Sequence, residues 1–296
     1  MKELNLSDIL KNTSYLEEKK VGFVAIIGRP NVGKSTFLNA LIGEKVSIVS
    51  HIPQTTRKKV LGIHNDKDSQ IIFVDTPGIH KENKIFNEEI NKQAISSLRD
   101  VDVILYFIDS SREGGEEEKY IKEIISNFNK PVIKIYTKID LDSKINLPED
   151  GIKISSLDNI GLDNVLDEIK KYLKTGPMQY GEDYYTTQDV KFRISELIRE
   201  KVFKNTKEEL PHSSFIEVAD YEDKPEILKL VAYIYVESDS QKFIIIGKGG
   251  KLITKIGKEA RIELEKIYGK KVFLALRVKV KPKWRKNEKF VKNLLK

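Results

Sequence analysis

The residue run with the clearest potential for chemistry is Gly28-Arg29-Pro30-Asn31-Val32-Gly33-Lys34-Ser35. Its glycines let the backbone bend around a polyphosphate with N–H groups pointing inward, at the positive end of a following helix. Lys34 would reach the outer phosphates, and the Ser35 hydroxyl could ligate the magnesium ion that accompanies a nucleotide. An ordinary glycine turn is the alternative, but an apolar run precedes this loop and a helical pattern follows it. The predicted phosphate contacts are Gly28, Asn31, Val32, Gly33, Lys34, Ser35 and Thr36.

A second candidate group, Asp75-Thr76-Pro77-Gly78, directly follows the apolar run 71–74. Ligands of open α/β sheets bind at the carboxyl ends of the strands, which is where this group is predicted to lie. Asp75 could hold magnesium through water, and the Gly78 N–H could meet a terminal phosphate. A plain turn is the alternative explanation.

The segment 44–58 has few helix or strand signals and is typical of a mobile switch. A threonine in such a segment can complete the magnesium shell only while the γ-phosphate is present. Thr56 is preferred to Thr55 for this role. We therefore predict Ser35, Thr56 and Asp75 as the magnesium ligands, and Lys34 and Thr56 as groups that act in hydrolysis.

The base is predicted to be read by Thr137-Lys138-Ile139-Asp140, which follows another apolar run. Asp140 can accept two hydrogen bonds from the N1–H and exocyclic amine of guanine, and the Lys138 stem can lie along the purine face. Ser155 and Ser156 would point backbone N–H groups toward the guanine oxygen, although a generic loop is the better description of that pair taken alone. These residues select GTP over ATP.

A third motif, Gly247-Lys248-Gly249-Gly250-Lys251, lies between two helical patterns near the C-terminal end. Glycines at these positions would let RNA phosphates approach the main chain, and Lys248 and Lys251 would supply charge. The arrangement resembles a KH domain of the bacterial type, which clamps about four nucleotides of single-stranded RNA. A helix hairpin without a ligand is the alternative.

The composition and charge of the chain limit the classes of protein that these motifs can indicate. The 296 residues favour two domains, and the absence of cysteine excludes disulfides and thiolate zinc sites, so we expect a reducing cytoplasm. We also expect no secretory signal and no membrane span. The net charge of +7 is uneven: 1–180 carry −1, 181–240 carry −6 and 241–296 carry +14. The basic end suggests nucleic acid or an anionic membrane, with a solvated lysine-rich tail as the alternative.

The elements that must position these residues alternate between short apolar runs and amphipathic segments, which predicts an α/β domain with a mostly parallel sheet. An α+β domain follows. Predicted strands are 21–27, 59–63, 70–74, 103–108, 131–136, 151–154, 213–221, 227–237 and 272–280; predicted helices are 34–42, 87–97, 115–128, 161–173, 190–203, 241–246 and 252–268. The predicted domain limits are a lead-in 1–20, a nucleotide domain 21–175, a linker 176–187, a KH domain 188–281 and a basic tail 282–296.

The combined motifs resemble the TRAFAC-class P-loop GTPases, and among them the bacterial Ras-like GTPases that carry a C-terminal KH domain. Two departures stand out. Thr137 replaces the usual asparagine, which bonds back to the phosphate loop. Ile79 replaces a water-positioning glutamine, so hydrolysis should be slow, with His80 either a substitute or a bystander.

The resemblance implies a cytoplasmic monomer with GTP and Mg²⁺ as ligands. It also implies ribosomal RNA near the 3′ end of the small-subunit rRNA as partner, small-subunit biogenesis as process, and a peripheral contact with the inner face of the cell membrane. By the same resemblance, Asn31 could hold a potassium ion that acts in catalysis, or make only local turn bonds. The competing interpretation is a regulatory GTPase whose basic end docks on membrane or on a protein instead of RNA.

Overall fold

The computed structural model describes residues 18–50, 52, 55–79, 85–145 and 147–295. These residues form two compact units. The first unit holds those within Met1–Ser47, Lys59–Ile79 and Ala94–Thr187, and the second unit holds those within Ile48–Lys58, His80–Gln93 and Gln188–Lys296. The sequence had placed 48–58 and 85–93 in the nucleotide domain, whereas the described residues of these segments belong to the second unit. Most of the predicted lead-in, together with His80, lies outside the described residues.

The first unit is built on a seven-stranded sheet. Its strands are β1 (Lys19–Gly28), β2 (Val60–Asn65), β3 (Ser69–Asp75), β4 (Val103–Asp109), β5 (Val132–Thr137), β6 (Ile152–Lys153) and β7 (Lys174–Gly176). The order is β2-β3-β1-β4-β5-β6, with β7 antiparallel to the start of β1. β2 is antiparallel to β3 and the other pairs along this order are parallel. Continuous apolar runs form the central strands because both faces of a parallel sheet are covered.

The helices that begin in this part of the chain are α1 (Lys34–Ile42), α2 (Ile85–Ser96), α3 (Glu116–Ser126) and α4 (Leu162–Lys170). α1 begins after Gly33 and ends before Gly43, whose φ values of 103° and 76° suit residues without a Cβ. α4 buries residues at helical spacing, Leu162, Val165, Leu166 and Ile169, against the sheet side. The loops that follow β1, β3, β5 and β6 therefore meet at the same edge of the sheet.

The predicted linker 176–187 is bound to the first unit. The buried amide of Gln70 donates to Tyr180 O at 2.7 Å and accepts from the N–H groups of Gln179 and Tyr180. Further along, Thr186 Oγ1 donates to Leu61 O at 2.8 Å. These bonds hold the chain against the first unit as far as Thr186.

The second unit contains α5 (Val190–Asn205), β8 (Phe215–Asp223), β9 (Ile227–Val236), α6 (Asp239–Ile246), α7 (Lys251–Tyr268), β10 (Lys271–Val280) and α8 (Glu288–Leu295). The sheet has the order β10-β9-β8, with β10 parallel and β8 antiparallel to β9. Alternate residues of β9 are buried, from Leu228 to Val236, and join the core with apolar residues of α5 and α7. Asp189 caps α5 and Ser238 caps α6 through side-chain oxygens.

Within the predicted basic tail, the described residues 282–295 are folded. Trp284 is 1 % exposed, and its indole N–H donates to Ser213 O at 2.9 Å. Its ring meets Phe215 with centroids 5.0 Å apart, and Val291 of α8 is buried in the same cluster. Sequence analysis did not identify this apolar cluster, because the many lysines of the segment dominate its composition.

The predicted fold class is confirmed, and most predicted elements lie within two or three residues of their observed ends. Within the described residues, no helix has the length and apolar character needed to cross a membrane.

Candidate functional site

The phosphate loop joins β1 to α1 with backbone conformations that suit a bend around an anion. Asn31 and Gly33 have positive φ values of 58° and 103°. A Cβ added to Gly28 would lie 2.9 Å from Phe107 O, so the residue at this end of β1 must be small. Val32 and Lys34 are buried, while Ser35 and Thr36 are half-buried at the first turn of α1. The loop places its main chain at a helix N-terminus, where anions are stabilised.

Lys34 is buried within this loop. Its Nζ donates to Gly28 O at 3.2 Å and to Arg29 O at 3.0 Å. Burial lowers the pKa of Lys34 to about 8, although Asp75 and Glu117 oppose the change. A buried ammonium with only carbonyl partners would gain from a phosphate anion placed beside it.

Asp75, at the end of β3, meets the start of α1. Its Oδ2 accepts hydrogen bonds from Ser35 Oγ at 2.8 Å and from Ser47 Oγ at 2.9 Å. Its buried Oδ1 has no hydrogen-bond partner among the described residues, and burial raises the pKa of the carboxyl group despite the nearby Lys34. An unsatisfied carboxylate oxygen beside a hydroxyl fits Mg²⁺, which takes one or two protein oxygens together with phosphate and water. Ser35 and Asp75 are therefore brought together as predicted.

Sequence analysis missed Ser47 at this site. Asn39 of α1 holds the chain there: its side-chain oxygen accepts from the N–H groups of Val46 and Ser47, and its Nδ2 donates to Ser47 O. Serines occur too widely for this one to have been singled out from the sequence.

The turn after β3 lies directly against the phosphate loop. A Cβ added to Gly78 would approach Pro30 N to 2.7 Å, and the Ile79 N–H donates to Gly28 O at 3.4 Å. The Ile79 side chain is fully buried in the core of the first unit. It anchors the turn and offers no group that could orient water.

The base motif is tied to the phosphate loop through Thr137. Its Oγ1 donates to Val32 O at 2.7 Å, so the threonine keeps a bond of the kind that the usual asparagine makes. Lys138 has a φ of 61°, and its Nζ donates to Asp109 Oδ2 at 2.7 Å. Asp140 is exposed beside them. Thr137, Lys138 and Asp140 therefore lie on one loop that is fixed at two points.

One predicted contact is wrong. The Ser155 N–H donates to Ile160 O at 3.1 Å, and its Oγ is bonded to Asp158, so this residue closes its own turn. Because that N–H is already used within its own loop, Ser155 does not offer it to a base, and the N–H contact of Ser156 stays a prediction.

The predicted switch threonine, Thr56, belongs to the second unit, as do its neighbours. Arg57 is 5 % exposed and donates to Ser214 O at 2.8 Å and to Pro211 O at 3.1 Å. Arg199 of α5 donates to Thr55 O. Thr56 is therefore held in this segment through the residues on both sides of it.

The glycine-rich turn between α6 and α7 has the conformation that the KH prediction requires. Gly247, Gly249 and Gly250 have φ values of 71°, 59° and 76°. Lys248 and Lys251 are exposed beside them. The turn therefore presents bare main chain and two cations to solvent, which suits close approach of a phosphate backbone.

A groove of about 450 Å³ lies next to this turn, between α7 and β10. Its lining is mostly apolar, with two cations at the side: Ile253, Thr254, Gly257, Lys258, Arg261, Val272, Phe273, Leu274 and Leu276. Phe273 is 59 % exposed. Sequence analysis did not identify this surface, because a groove between a helix and a strand has no local motif. An apolar floor with a basic rim suits unstacked bases.

Fold and site together define a P-loop GTPase domain followed by a KH domain. Family models agree: one described as a 50S ribosome-binding GTPase matches residues 23–138, and a KH domain model matches 209–285. The Era GTPase of Borrelia garinii subsp. bavariensis is 44 % identical over 288 residues, covering 93 % of this chain and 99 % of that protein. That of Thermotoga maritima is 44 % identical over 283 residues, covering 91 % and 94 %.

Two solved structures extend the similarity to three dimensions. Aquifex aeolicus Era bound to GDP·AlF4⁻ has a TM-score of 0.87 and 38 % identity, covering 92 % of this chain and 98 % of that one. An Era complex with MgGDPNP and nucleotides 1506–1542 of 16S ribosomal RNA has the same TM-score and identity, covering 93 % and 98 %. The chain belongs to the Era family of GTPases.

Proposed function

We propose that this protein hydrolyses GTP and, as a nucleotide-dependent switch, binds ribosomal RNA near the 3′ end of the small-subunit rRNA during small-subunit biogenesis. The observation that carries the GTPase part is the buried Asp75 carboxylate, which is bonded to Ser35 and has one oxygen with no partner among the described residues. Lys34 lies in the adjoining loop. Such an arrangement is complete only when a metal ion and phosphates are added.

The chain's own residues would bind and orient the substrate. The loop N–H groups and Lys34 would hold the β- and γ-phosphates, Ser35 and Asp75 would hold Mg²⁺, and Asp140 would select guanine. Bound Mg²⁺ would neutralise charge on the phosphate oxygens. Thr56 would join this set when the γ-phosphate is present. Because Ile79 is buried and apolar, intrinsic hydrolysis is expected to be slow.

We also propose a potassium ion as a further cofactor, held with the help of Asn31 in the phosphate loop. A monovalent cation there would supply positive charge to the transition state, as an arginine does in other GTPases. Hydrolysis should then be faster in potassium than in sodium at equal ionic strength, and equal rates would remove this role.

The RNA part of the proposal is supported by the clamp and groove of the second unit and by the Era complex with 16S rRNA nucleotides. The competing interpretation, a basic end that docks on membrane or protein instead of RNA, is less favoured because the C-terminal residues are folded around Trp284. The family resemblance further supports a cytoplasmic monomer with a peripheral contact at the inner face of the membrane.

The experiment that tests RNA binding replaces Lys248 and Gly249 with Asp in the full chain. Two carboxylates against the phosphates should reduce the affinity for single-stranded RNA steeply and leave GDP affinity unchanged. Each lost phosphate contact should flatten the slope of log affinity against log salt by about 0.7. The parent should also prefer single-stranded RNA to duplex.

Two control variants locate the binding surface. Lys266→Asp changes an exposed lysine at the far end of α7 and should bind RNA as the parent does. Lys286→Glu with Lys289→Glu reverses two exposed charges of the C-terminal segment without removing the buried Trp284. If the clamp variant kept parental RNA affinity while the C-terminal variant lost it, the clamp assignment would be wrong.

A further inference from the structure

The carboxylate of Asp109 is a fixed acceptor at the end of β4, in the first unit. It is 2 % exposed, and its Oδ1 accepts from Ser111 N at 3.0 Å and from Ser111 Oγ at 2.6 Å. Its Oδ2 accepts from Lys138 Nζ at 2.7 Å. Asp109 itself is thus immobilised on one oxygen and holds a cation of the base motif with the other.

A phosphate-loop side chain lies near the same oxygen. Arg29 Nη2 is 3.9 Å from Asp109 Oδ2, while Arg29 Nη1 forms a 2.7 Å ion pair with Glu118 Oε1. The arginine is 6 % exposed. Arg112 Nε of the following turn is 3.5 Å from the same oxygen. The Asp109 carboxylate therefore faces three cations, one from the phosphate loop, one from its own turn and one, Lys138, from the base motif. Among the groups that contact Asp109, Lys138 is the one expected to touch the nucleotide base.

The carboxylate remains ionised at neutral pH. Burial alone would raise the pKa of Asp109, but the bonds from Lys138 and Ser111 outweigh it and lower the pKa. A charge-assisted bond between two partly desolvated groups is stronger than a neutral one. It can therefore hold the long Lys138 side chain in a single conformation.

The base motif needs such a second attachment because of Thr137. A threonine hydroxyl donates one proton, which it gives mainly to Val32 O at 2.7 Å, whereas an asparagine amide has two N–H donors and a carbonyl. Lys138 is additionally in the left-handed region, which is unfavourable for a residue with a Cβ. We propose that Asp109 is a positioning residue for the guanine base, acting through the Lys138 ammonium to hold the lysine stem along the purine.

This inference rests on the proposed GTP site, and the test uses the dissociation rate of a fluorescent GDP from the full chain. Asp109→Asn should speed dissociation roughly tenfold, the effect of losing one charged hydrogen bond. Lys138→Met should have a similar effect. Because Asp109 acts through Lys138, the double variant should dissociate no faster than Lys138→Met alone.

A second readout separates positioning from general loosening of the fold. Inorganic tripolyphosphate with magnesium carries no base, so its affinity should be the same in the parent and in Asp109→Asn. Asp150→Asn, which removes an exposed carboxylate paired with Lys134, is the matched control and should leave both readouts unchanged. Should Asp109→Asn unfold, Asp109→Glu takes its place in the comparison with Lys138→Met and the double variant. This substitution retains the charge but shifts it by one methylene.

Parental dissociation in Asp109→Asn, multiplicative effects in the double variant, or an equal loss of tripolyphosphate would each overturn the inference. Failure of the parent itself to bind GDP would instead refute the proposed GTP site.

Discussion

At the scale of single residues, the nucleotide site is defined by buried charges that lack a full set of partners. Within the part of the chain that the structure describes, Lys34 donates hydrogen bonds to two carbonyl oxygens of the loop, and Asp75 Oδ1 has no hydrogen-bond partner. Desolvation lowers the pKa of Lys34 and raises the pKa of Asp75, and both changes favour the neutral form of the group. Ligand charges of opposite sign would reverse both shifts, so these residues are prepared for phosphate and metal before either arrives.

The lowered pKa of Lys34 makes nucleotide affinity depend on pH. Burial lowers the pKa of Lys34 to about 8, and bound phosphates should raise it. Binding should therefore take up a proton above pH 8, and affinity should fall by up to tenfold for each further pH unit. Calorimetry at pH 9 in buffers of different ionisation enthalpy should give an uptake that approaches one proton for GDP.

The control for this prediction is binding at pH 6.5, where Lys34 is charged in both states and contributes no uptake. Lys34→Arg, if it still binds GDP, should show no uptake at pH 9 because arginine stays protonated. An unchanged uptake in that variant would assign the proton to another group.

At the scale of elements, the segment after α1 is held by a buried arginine. The Arg57 guanidinium donates to the carbonyl oxygens of Ser214, Pro211 and His212, and lies 5.3 Å from the centroid of the Phe86 ring. Burial, with Arg199 nearby, lowers the pKa of Arg57. A planar guanidinium can reach several carbonyls at once, which a lysine ammonium cannot do with the same geometry.

We predict that Arg57→Lys releases this segment. The lost bonds should destabilise the second unit by about 1–3 kcal/mol and increase amide exchange at residues 55–58 at least several-fold. Mass spectrometry of exchange in the nucleotide-free chain gives the measurement. Arg99→Lys, at an exposed position, makes the same chemical change and should exchange like the parent. Parental exchange at 55–58 in Arg57→Lys would show that the arginine is not the attachment.

The elements that sequence analysis predicted well are those with local periodic signals. β10 and α7 were expected at 272–280 and 252–268, and they occupy Lys271–Val280 and Lys251–Tyr268. Sequence analysis also found the phosphate loop, Asp75 and the Gly247–Lys251 turn, because in each case the residues that indicate the function are neighbours in the sequence. A local sequence pattern is sufficient to predict an element or a site when the interacting residues lie close together in the sequence.

The elements that were missed depend on partners distant in the sequence. Gln70 binds the chain near Tyr180 across 110 positions, and Arg57 binds Ser214 across 157. Asp109 and Ser47 act on residues in other loops. Ser155 was misassigned because its N–H is used by Ile160, a turn that no motif signals. Sequence spacing alone does not show which donors are already satisfied.

At the scale of the whole molecule, chain connectivity links the nucleotide site to the second unit. Ser47, which binds Asp75, is followed by residues of the second unit, and the described residues 85–93, which come after Ile79 in the sequence, also belong to that unit. The Ile79 N–H donates to the phosphate loop. Within the second unit, Arg57 and Phe86 contact residues near the start of β8 and Trp284. A change in the magnesium site would therefore act on segments that are packed in the RNA-binding unit.

The last prediction is thermodynamic coupling between GTP and RNA. If the γ-phosphate draws Thr56 toward magnesium, it must act against the bonds that hold Thr55 and Arg57 in the second unit. The family resemblance favours the GTP form as the one competent to bind RNA. We therefore expect single-stranded RNA to bind at least fivefold more tightly to the protein loaded with a GTP analogue than with GDP.

By linkage, RNA must increase the preference for the analogue over GDP by the same factor. Fluorescence anisotropy with labelled RNA and with labelled nucleotide measures both arms of this cycle. Arg57→Lys should change the factor, whereas the Lys248 and Gly249 clamp variant should abolish the effect of RNA on nucleotide affinity. Equal RNA affinity in the two nucleotide states would mean that the GTPase and KH domains act independently.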